Sequence, residues 1–452
     1  MKPVTLLLAG VAIGLLACRS EPTAPETPTD TPLAEAQLTS FGPYYAITYL
    51  SGTAPGTAYG INNNGQAAGL FSTSDAFHAF LWTNGVKKDL GTAGGQAGSV
   101  SLANAVNAAG QVVGESSNAA GQLNAALWQN DAWQDLGNLG GPDFNVGGDN
   151  SVATAINATG LIVGWSYTAT FAQRAFLRQN GTMSRLAGLN KTYSEAFGVN
   201  NTGVVVGEFR TASGEIHAFR WKDGVVRDLG TLGGSISTAR GINNNNQVVG
   251  WSTTASGAYH AFIWQGGVMT DLGTLGGVNS GAYAINGGGQ VVGFSDMAAG
   301  PPAHAFLWEG GVMHDLGPGD ARGINRDGWV VGTRTDYRVS LQGSLPTLWK
   351  PSPTPPPVGP PGSIGVANVV FFSDRNGGYN PAVDTVAVGT TVTWHWLSGS
   401  HSVQSKGTPH FASSAVLSGN GTKYSVRFTQ AGTYQFNCIR HPIKMTGRIV
   451  VK

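Results

Sequence analysis

The residues best suited to chemistry lie near the C-terminus, in CIRHPIKM, residues 438–445. Cys438 is followed three positions later by His441 and four further on by Met445. A thiolate, an imidazole and a thioether on one short loop can converge on a single ion. A second imidazole must come from elsewhere, and His401, in GSHSVQS just after TVTWHWL, is the natural candidate. Two imidazoles and a thiolate in a trigonal set, with a weak axial thioether, select copper and favour electron transfer. One fixed geometry acceptable to both oxidation states keeps reorganisation small. The same set makes a poor tetrahedral zinc site. The bland alternative is a cysteine buried as a small hydrophobe beside an unrelated His and Met.

The strands that must carry this loop are legible around it. Val366–Phe372, Asp384–Val388, Thr390–Leu397, Tyr424–Thr429, Gly432–Asn437 and Gly447–Val451 are apolar, β-branched or aromatic runs bounded by Gly, Asn or Pro. So many strands within residues 364–452 suit a small Greek-key sandwich. In order, GTTVTW, then HSV, then GTYQFNC-x-x-H-P…M-x-G-x-I-V-V resemble the cupredoxin family of plastocyanin, amicyanin and pseudoazurin. The resemblance implies one type 1 copper, with His401, Cys438 and His441 as equatorial ligands and Met445 as axial ligand. There is one departure. Three residues separate His441 from Met445, where amicyanin-like loops have two and plastocyanin-like loops four.

Charge and composition narrow the function further. Residues 364–452 carry eight Lys/Arg against Asp374 and Asp384, a net of +6 in a chain whose total is +1. Arg440 precedes His441 and Lys444 precedes Met445, so the expected redox partner is an acidic protein. Basic residues are neither numerous nor interleaved with aromatic platforms, so no nucleic-acid partner is expected. A multicopper oxidase needs paired His-x-His ligands, and none occurs. An isolated type 1 site has no open position for substrate, so a carrier is expected rather than an enzyme, acting as a monomer. His395, between Trp394 and Trp396, reads as structural, and His410 as a surface or loop residue.

The longer N-terminal region is built from repeats. GINNNGQAAG at 60–69 recurs in altered form at 105–114, 155–164, 198–207, 241–250, 284–293 and 323–332. The motif Asn is 62, 107, 157, 200, 243, 286 and 325. The Gly three residues on is replaced only by Asn246, the other residue that readily takes left-handed backbone angles, which predicts a turn there. A second motif follows each copy: HAFLW at 78–82, NAALW at 124–128, RAFLR at 174–178, HAFRW at 217–221, HAFIW at 260–264, HAFLW at 304–308 and LPTLW at 345–349. A third, DLG, follows at 89–91, 135–137, 228–230, 271–273 and 315–317, with RLAG at 185–188 as its degenerate form. About four short apolar segments per unit is the size of a propeller blade. The seventh unit stops at Trp349 without its DLG strand, while Tyr44 to Leu50 precedes the first. Joining those two ends would close a ring and leave no open edge. Residues 44–350 are therefore expected to form a seven-bladed β-propeller, with an open β-solenoid as the alternative. The repeats resemble the bacterial extracellular HAF-repeat family, which brings little function with it. The recurrent His78, His217, His260 and His304 read as strand-packing or turn residues, and each DLG Asp as a turn acceptor. No non-repeated carboxylate pair stands out. The whole chain is expected to be all-β, a propeller-like repeat domain followed by a cupredoxin sandwich.

The remaining segments concern export. Lys2 and the apolar run Val4 to Ala17, closed by Leu15-Leu16-Ala17-Cys18, resemble a lipoprotein signal over residues 1–18, with Cys18 lipidated. An ordinary cleaved signal and an uncleaved anchor are the alternatives. Lipidation of Cys18 would leave Cys438 without a disulfide partner, and copper gives a lone exported thiol its reason. Residues 19–43 read as a disordered tether. Residues 351–363 hold seven prolines in 13 positions, a semi-rigid polyproline spacer of roughly 40 Å. The expected product is a copper protein tethered by lipid to the cell envelope, with the propeller as a docking surface. The competing reading is a surface interaction or glycan-binding protein in which copper is secondary.

Overall fold

The computed structural model describes residues 44–352, apart from 53, 142–149, 190–192, 299 and 336–343, and residues 366–451, apart from 372–378, 381–382, 387, 397–399, 419–422 and 440–445. The signal, Cys18, the tether and residues 353–363 of the linker lie outside the described residues. Every regular element among the described residues is a β-strand.

Each of the first six repeats supplies strands a, b, c and d, each paired antiparallel with the next. In the first they are Gly56–Ile61, Ala67–Ser72, Phe77–Thr83 and Val86–Asp89. The second and third repeats form separate four-stranded sheets in the same order. The fourth and fifth are joined by a single parallel pairing, Ile216 with Ile236. The sixth and seventh share the long strand Val312–Ile324, whose first half is strand d of one and whose second half is strand a of the other. Strand c of the seventh repeat, Ser344–Ser352, pairs with Tyr44–Tyr49 from Tyr44↔Ser352 to Tyr49↔Thr347. The N-terminal strand thus stands where strand d of the seventh repeat would be.

The motif asparagine builds the a–b turn and also leaves its own repeat. Asn62 Oδ1 accepts the amides of Asn64 and Gln66 at 3.0 and 2.9 Å. Its Nδ2 donates to the carbonyl of Asn107, the same residue of the next repeat. Asn107, Asn157, Asn200, Asn243 and Asn286 each do likewise, and Asn325 donates to the carbonyl of Asn62, all at 2.8–3.2 Å. All seven are buried. The residue three positions on has φ between 59 and 82° in every copy, Asn246 included. The motif's final glycine has a different reason. It lies opposite a bulge in strand a, where a Cβ would sit 1.9–2.0 Å from a carbonyl oxygen such as that of Thr57 or Thr238. No side chain fits there.

Apolar cores lie between consecutive sheets. One joins Val206, Ala218 and Leu229 of the fourth repeat to Ala239, Val248, Phe262 and Trp264 of the fifth. Another joins Ala58, Phe71 and Phe80 of the first to Val331 and Leu348 of the seventh. The His-Ala-Phe triplet has a clear division of labour: Ala and Phe fill these cores, while the histidine turns to strand d. Nδ1 of His78, His217, His260 and His304 bonds the carboxylate of Asp89, Asp228, Asp271 and Asp315. Each of these aspartates also accepts the amide of the glycine two residues on. They are turn acceptors, as their recurrence implies.

The C-terminal region has its own core. Tyr379–Asn380, Val366–Phe371, Thr391–Trp396 and Lys423–Arg427 form one sheet in that order. Val383–Val386, Thr446–Val451, Gly432–Asn437 and Gln404–Lys406 form the other. Val392, Trp394, Phe428, Tyr434, Phe436 and Ile449 meet between them. Trp394 packs on Phe411 at 5.7 Å and edge-on to Phe436 at 5.4 Å.

Candidate metal centre

Cys438 follows the last residue of Gly432–Asn437 and is fully buried in the core just described. Alternation along that strand places Tyr434, Phe436 and Cys438 inward, so the thiol continues an apolar row. A polar contact reaches it from a different segment. The Ser402 amide donates to Cys438 Sγ at 3.4 Å, and Ser402 Oγ accepts the Ile439 amide at 3.1 Å. A paired amide on each side thus ties residues 401–403 to residues 438–439.

The segment holding Ser402 is itself fixed. The Val403 amide donates to Ser414 Oγ at 2.8 Å, and the Ser414 amide to the Val403 carbonyl at 2.9 Å. Ser400–His401 pairs with Leu417–Ser418, with His401 opposite Leu417. His401 is therefore placed directly before the residue whose amide touches the cysteine sulfur. His441 and Met445 lie outside the described residues, as do Arg440 and Lys444. No group of three His, Cys, Asp or Glu converges among the described residues. Of the four expected ligands, the structure describes Cys438 with its thiol and His401 by its backbone, which directly precedes the residue whose amide bonds that thiol.

These residues fit a copper ion. The thiolate is the form of cysteine that ligates metal. A dry, apolar shell with a few fixed hydrogen bonds tunes such a centre. His395 occupies the strand Thr391–Trp396, and His410 is exposed beyond the Gln404–Lys406 strand.

A profile of copper binding proteins, plastocyanin/azurin family, matches residues 374–452. This part of the chain is a plastocyanin/azurin-family copper-binding domain. Among solved structures, a purple cupredoxin from Nitrosopumilus maritimus is 27% identical, covering 19% of this chain and 99% of its own, with a TM-score of 0.17. A mutant of amicyanin in its Cu(I) form is 30% identical, covering 20% of this chain and 82% of its own, also with a TM-score of 0.17. No curated protein matches the chain.

The repeats contain one constellation that sequence reading missed. Glu195 and Glu208 face each other across the a–b hairpin of the fourth repeat. Tyr193 Oη lies 2.8 Å from Glu195 Oε1 and 2.5 Å from Glu208 Oε1. Gln173 Nε2 donates to Glu195 and Thr238 Oγ1 to Glu208. One phenol has one proton for two carboxyls, so a protonated Glu195 satisfies the arrangement. Burial first, then the charge of Glu208, pushes the Glu195 pKa up to about 7. The folded state thus holds a proton that the unfolded chain releases near 4.5. This contribution to stability is present below pH 4.5 and declines as pH rises towards 7. Glu195→Gln should flatten that decline by roughly 2 kcal/mol between pH 5 and 8. Denaturant melts of both proteins across this range are the check, and parallel curves would remove Glu195 as the titrating group.

Proposed function

We propose that this chain is an exported lipoprotein whose C-terminal domain carries one type 1 copper and transfers single electrons. The observation that carries the reading is the Ser402 amide on Cys438 Sγ, which sets His401 one residue from the thiol. His401, Cys438 and His441 would hold the ion equatorially and Met445 axially. When bound, copper supplies a one-electron couple. The chain's own contribution is a buried cysteine sulfur, the Ser402 amide and hydroxyl that hold it and the Ile439 amide in place, and a loop whose length sets the reach of Met445. Reconstitution with copper should give the intense visible absorption of thiolate-to-copper charge transfer. Met445→Leu should keep that absorption while shifting the reduction potential. An unshifted spectrum and potential would remove Met445 from the site.

The repeats support a seven-bladed propeller. The reason is the circuit of asparagine bonds from Asn62 round to Asn325 and back, together with the N-terminal strand on Ser344–Ser352. In this reading the propeller is a docking surface.

The electron partner is an acidic protein that docks at the copper loop. Arg440 and Lys444 precede His441 and Met445, and the surrounding domain is strongly basic. Exposed Ile439, 60% accessible, adds an apolar contact beside the buried thiol. Steered association is fast and falls steeply with salt, since the screening length is about 8 Å at physiological strength. Charge reversal at Arg440 and Lys444 should slow exchange with an acidic redox protein and flatten its salt dependence. Stopped-flow rates across a salt series decide it, and indifference to both changes overturns the docking reading.

A further inference from the structure

The motif asparagine and the glycine seven residues after it are the same in all seven repeats, because the turn and the bulge require them. The positions beside them are not. The residue after that glycine is Leu70, Glu115, Glu208 or Thr333 in four repeats and Trp165, Trp251 or Phe294 in the others. The residue three before the asparagine, skipped by the a–b register, is Arg240, Tyr283 and Arg322 in the fifth to seventh repeats and Tyr59 in the first. Positions that the backbone leaves open are where a site can be grafted on a repeated frame.

In the fifth and sixth repeats these open positions gather aromatic rings. Trp251 lies 5.7 Å from Tyr259, Tyr259 lies 6.3 Å from Phe294, and Phe294 lies 5.7 Å from Tyr283, centroid to centroid. None of the four belongs to the apolar cores between these sheets. Three are half-buried and Tyr259 is exposed. The sixth repeat also makes room for the row. Gly281 stands opposite Phe294, where a Cβ would lie 2.6 Å from the Phe294 ring. The other six repeats carry a side chain at that place, such as Thr57, Thr238 or Asp320.

The row ends in a cavity of about 440 Å³ where the sixth, seventh and first repeats meet. Tyr283 and Phe294 are its aromatic wall, and Thr57, Asp320, Arg322 and Thr333 are polar groups in its lining. Asp320 Oδ2 accepts Nε and Nη2 of Arg322 at 2.8 and 2.5 Å, so the two charges compensate each other. The Arg322 guanidinium also covers the Tyr283 ring at 4.1 Å. The hydroxyls of Thr57 and Thr333 are joined at 3.0 Å. Aromatic faces beside hydroxyls and a compensated ion pair suit a neutral ligand that is apolar on one face and rich in hydroxyls at its rim. A sugar ring has that chemistry.

We propose that this face of the repeats binds a neutral glycan, with one sugar ring in the cavity against Phe294 and the chain continuing over Tyr259 towards Trp251. The aromatic rings take the C–H faces of successive sugars. Asp320 accepts from sugar hydroxyls, and Arg322, Thr57 and Thr333 donate to them or accept from them according to their type. The site shares no residue with the copper centre, and the two readings stand or fall separately.

The test uses the full chain, loaded with copper, at constant ionic strength. Cellohexaose, mannohexaose and N-acetylchitohexaose are titrated by calorimetry. Polygalacturonate serves as an acidic glycan. A peptide copying residues 351–363 serves as a proline-rich ligand, since aromatic grooves also take such segments. At least one neutral oligosaccharide should bind saturably. Phe294→Leu installs the residue type that the first repeat carries at Leu70, so it should fold and bind that oligosaccharide about tenfold or more weakly, the scale of one lost aromatic contact. Tyr259→Ser, at an exposed place, should also weaken binding and is a second variant with little risk to the fold. Trp165→Leu, at the same place in the third repeat but outside the row, should leave binding unchanged. Thermal melting verifies each variant. Affinity unaltered in both Phe294→Leu and Tyr259→Ser overturns the site, as does an equal loss in Trp165→Leu. Saturable binding of polygalacturonate or the peptide alone overturns the neutral-glycan assignment, and saturable binding of none of these ligands overturns the proposal.

Discussion

Cys438→Ser is expected to abolish the intense visible absorption of the copper-loaded chain while leaving the cupredoxin fold in place. The thiolate is the only ligand in the set able to give strong charge transfer to copper, and it is the only one carrying charge. A serine hydroxyl remains protonated at neutral pH, so the site would lose its anchor for the ion as well as its colour. The fold should survive for a specific reason. Cys438 is buried among Val403, Tyr434 and Phe436, where an unpaired hydroxyl would be costly. The Ser402 amide that now donates to sulfur can donate to the new oxygen instead. The net cost should therefore be about 1 kcal/mol, the scale of one exchanged hydrogen bond. For a domain of this size that is a fall of roughly 4–8 °C in the apo melting temperature. Absorption spectra with bound copper quantified, alongside calorimetry of the apo proteins, make the check. A variant that stayed blue would exclude Cys438 from the centre.

The type of each C-terminal strand was legible because its apolar and β-branched runs are interrupted by turn residues. The boundaries shifted by one or two positions, as with Thr446–Val451 where Gly447–Val451 was expected. The two-residue strand Ser400–His401 was not legible at all. It contains no apolar pattern, and it exists because Leu417–Ser418 lies beside it. That pairing helps to place His401 near the thiol, so the route of the candidate ligand to the site depends on a tertiary contact rather than a local propensity.

In the repeats, the turn and its left-handed residue followed from Gly and Asn at one spacing. A second signal was present and passed over. A serine stands six residues before the motif Asn at 101, 151, 194, 237 and 280, and its hydroxyl accepts an amide from strand c of the preceding repeat. Small polar residues attract little notice in an apolar pattern, yet this one stitches neighbouring sheets. Glu195 and Glu208 escaped for another reason. They are 13 positions apart, and only the bulged register of the hairpin sets them face to face. Nothing in their spacing announces a pair, although carboxylates are scarce enough here, in a chain with 25 Asp and Glu, that two in one hairpin were a usable cue.

Deleting Tyr44 to Leu50 should destabilise the repeat region far more than deleting residues 19–40. The short deletion removes six strand pairs on Ser344–Ser352. It also removes Tyr45, Ile47 and Leu50, each at most 5% exposed. Tyr45 and Ile47 belong to the core shared by the sixth and seventh repeats, and Leu50 to that between the seventh and the first. At about 2 kcal/mol per buried side chain, the apolar loss alone is roughly 6 kcal/mol, comparable to the total stability of many domains. The unpaired edge left on Ser344–Ser352 would also invite aggregation. The distribution of the damage separates a ring from an open stack. In an open solenoid, repeats interact only with neighbours, so loss at one end stays at that end. In a ring, weakening the seventh repeat also releases the first, because Asn325 donates to the Asn62 carbonyl and Thr333 bonds Thr57. Hydrogen exchange should then quicken in the first and seventh repeats together, 263 residues apart in sequence at that asparagine contact. Ile47→Ala offers a milder version if the truncated chain does not fold. Equal melting temperatures for the two truncations, or faster exchange confined to the seventh repeat, would argue for the open stack, because only a closed ring obliges the first repeat to register a loss made in the last.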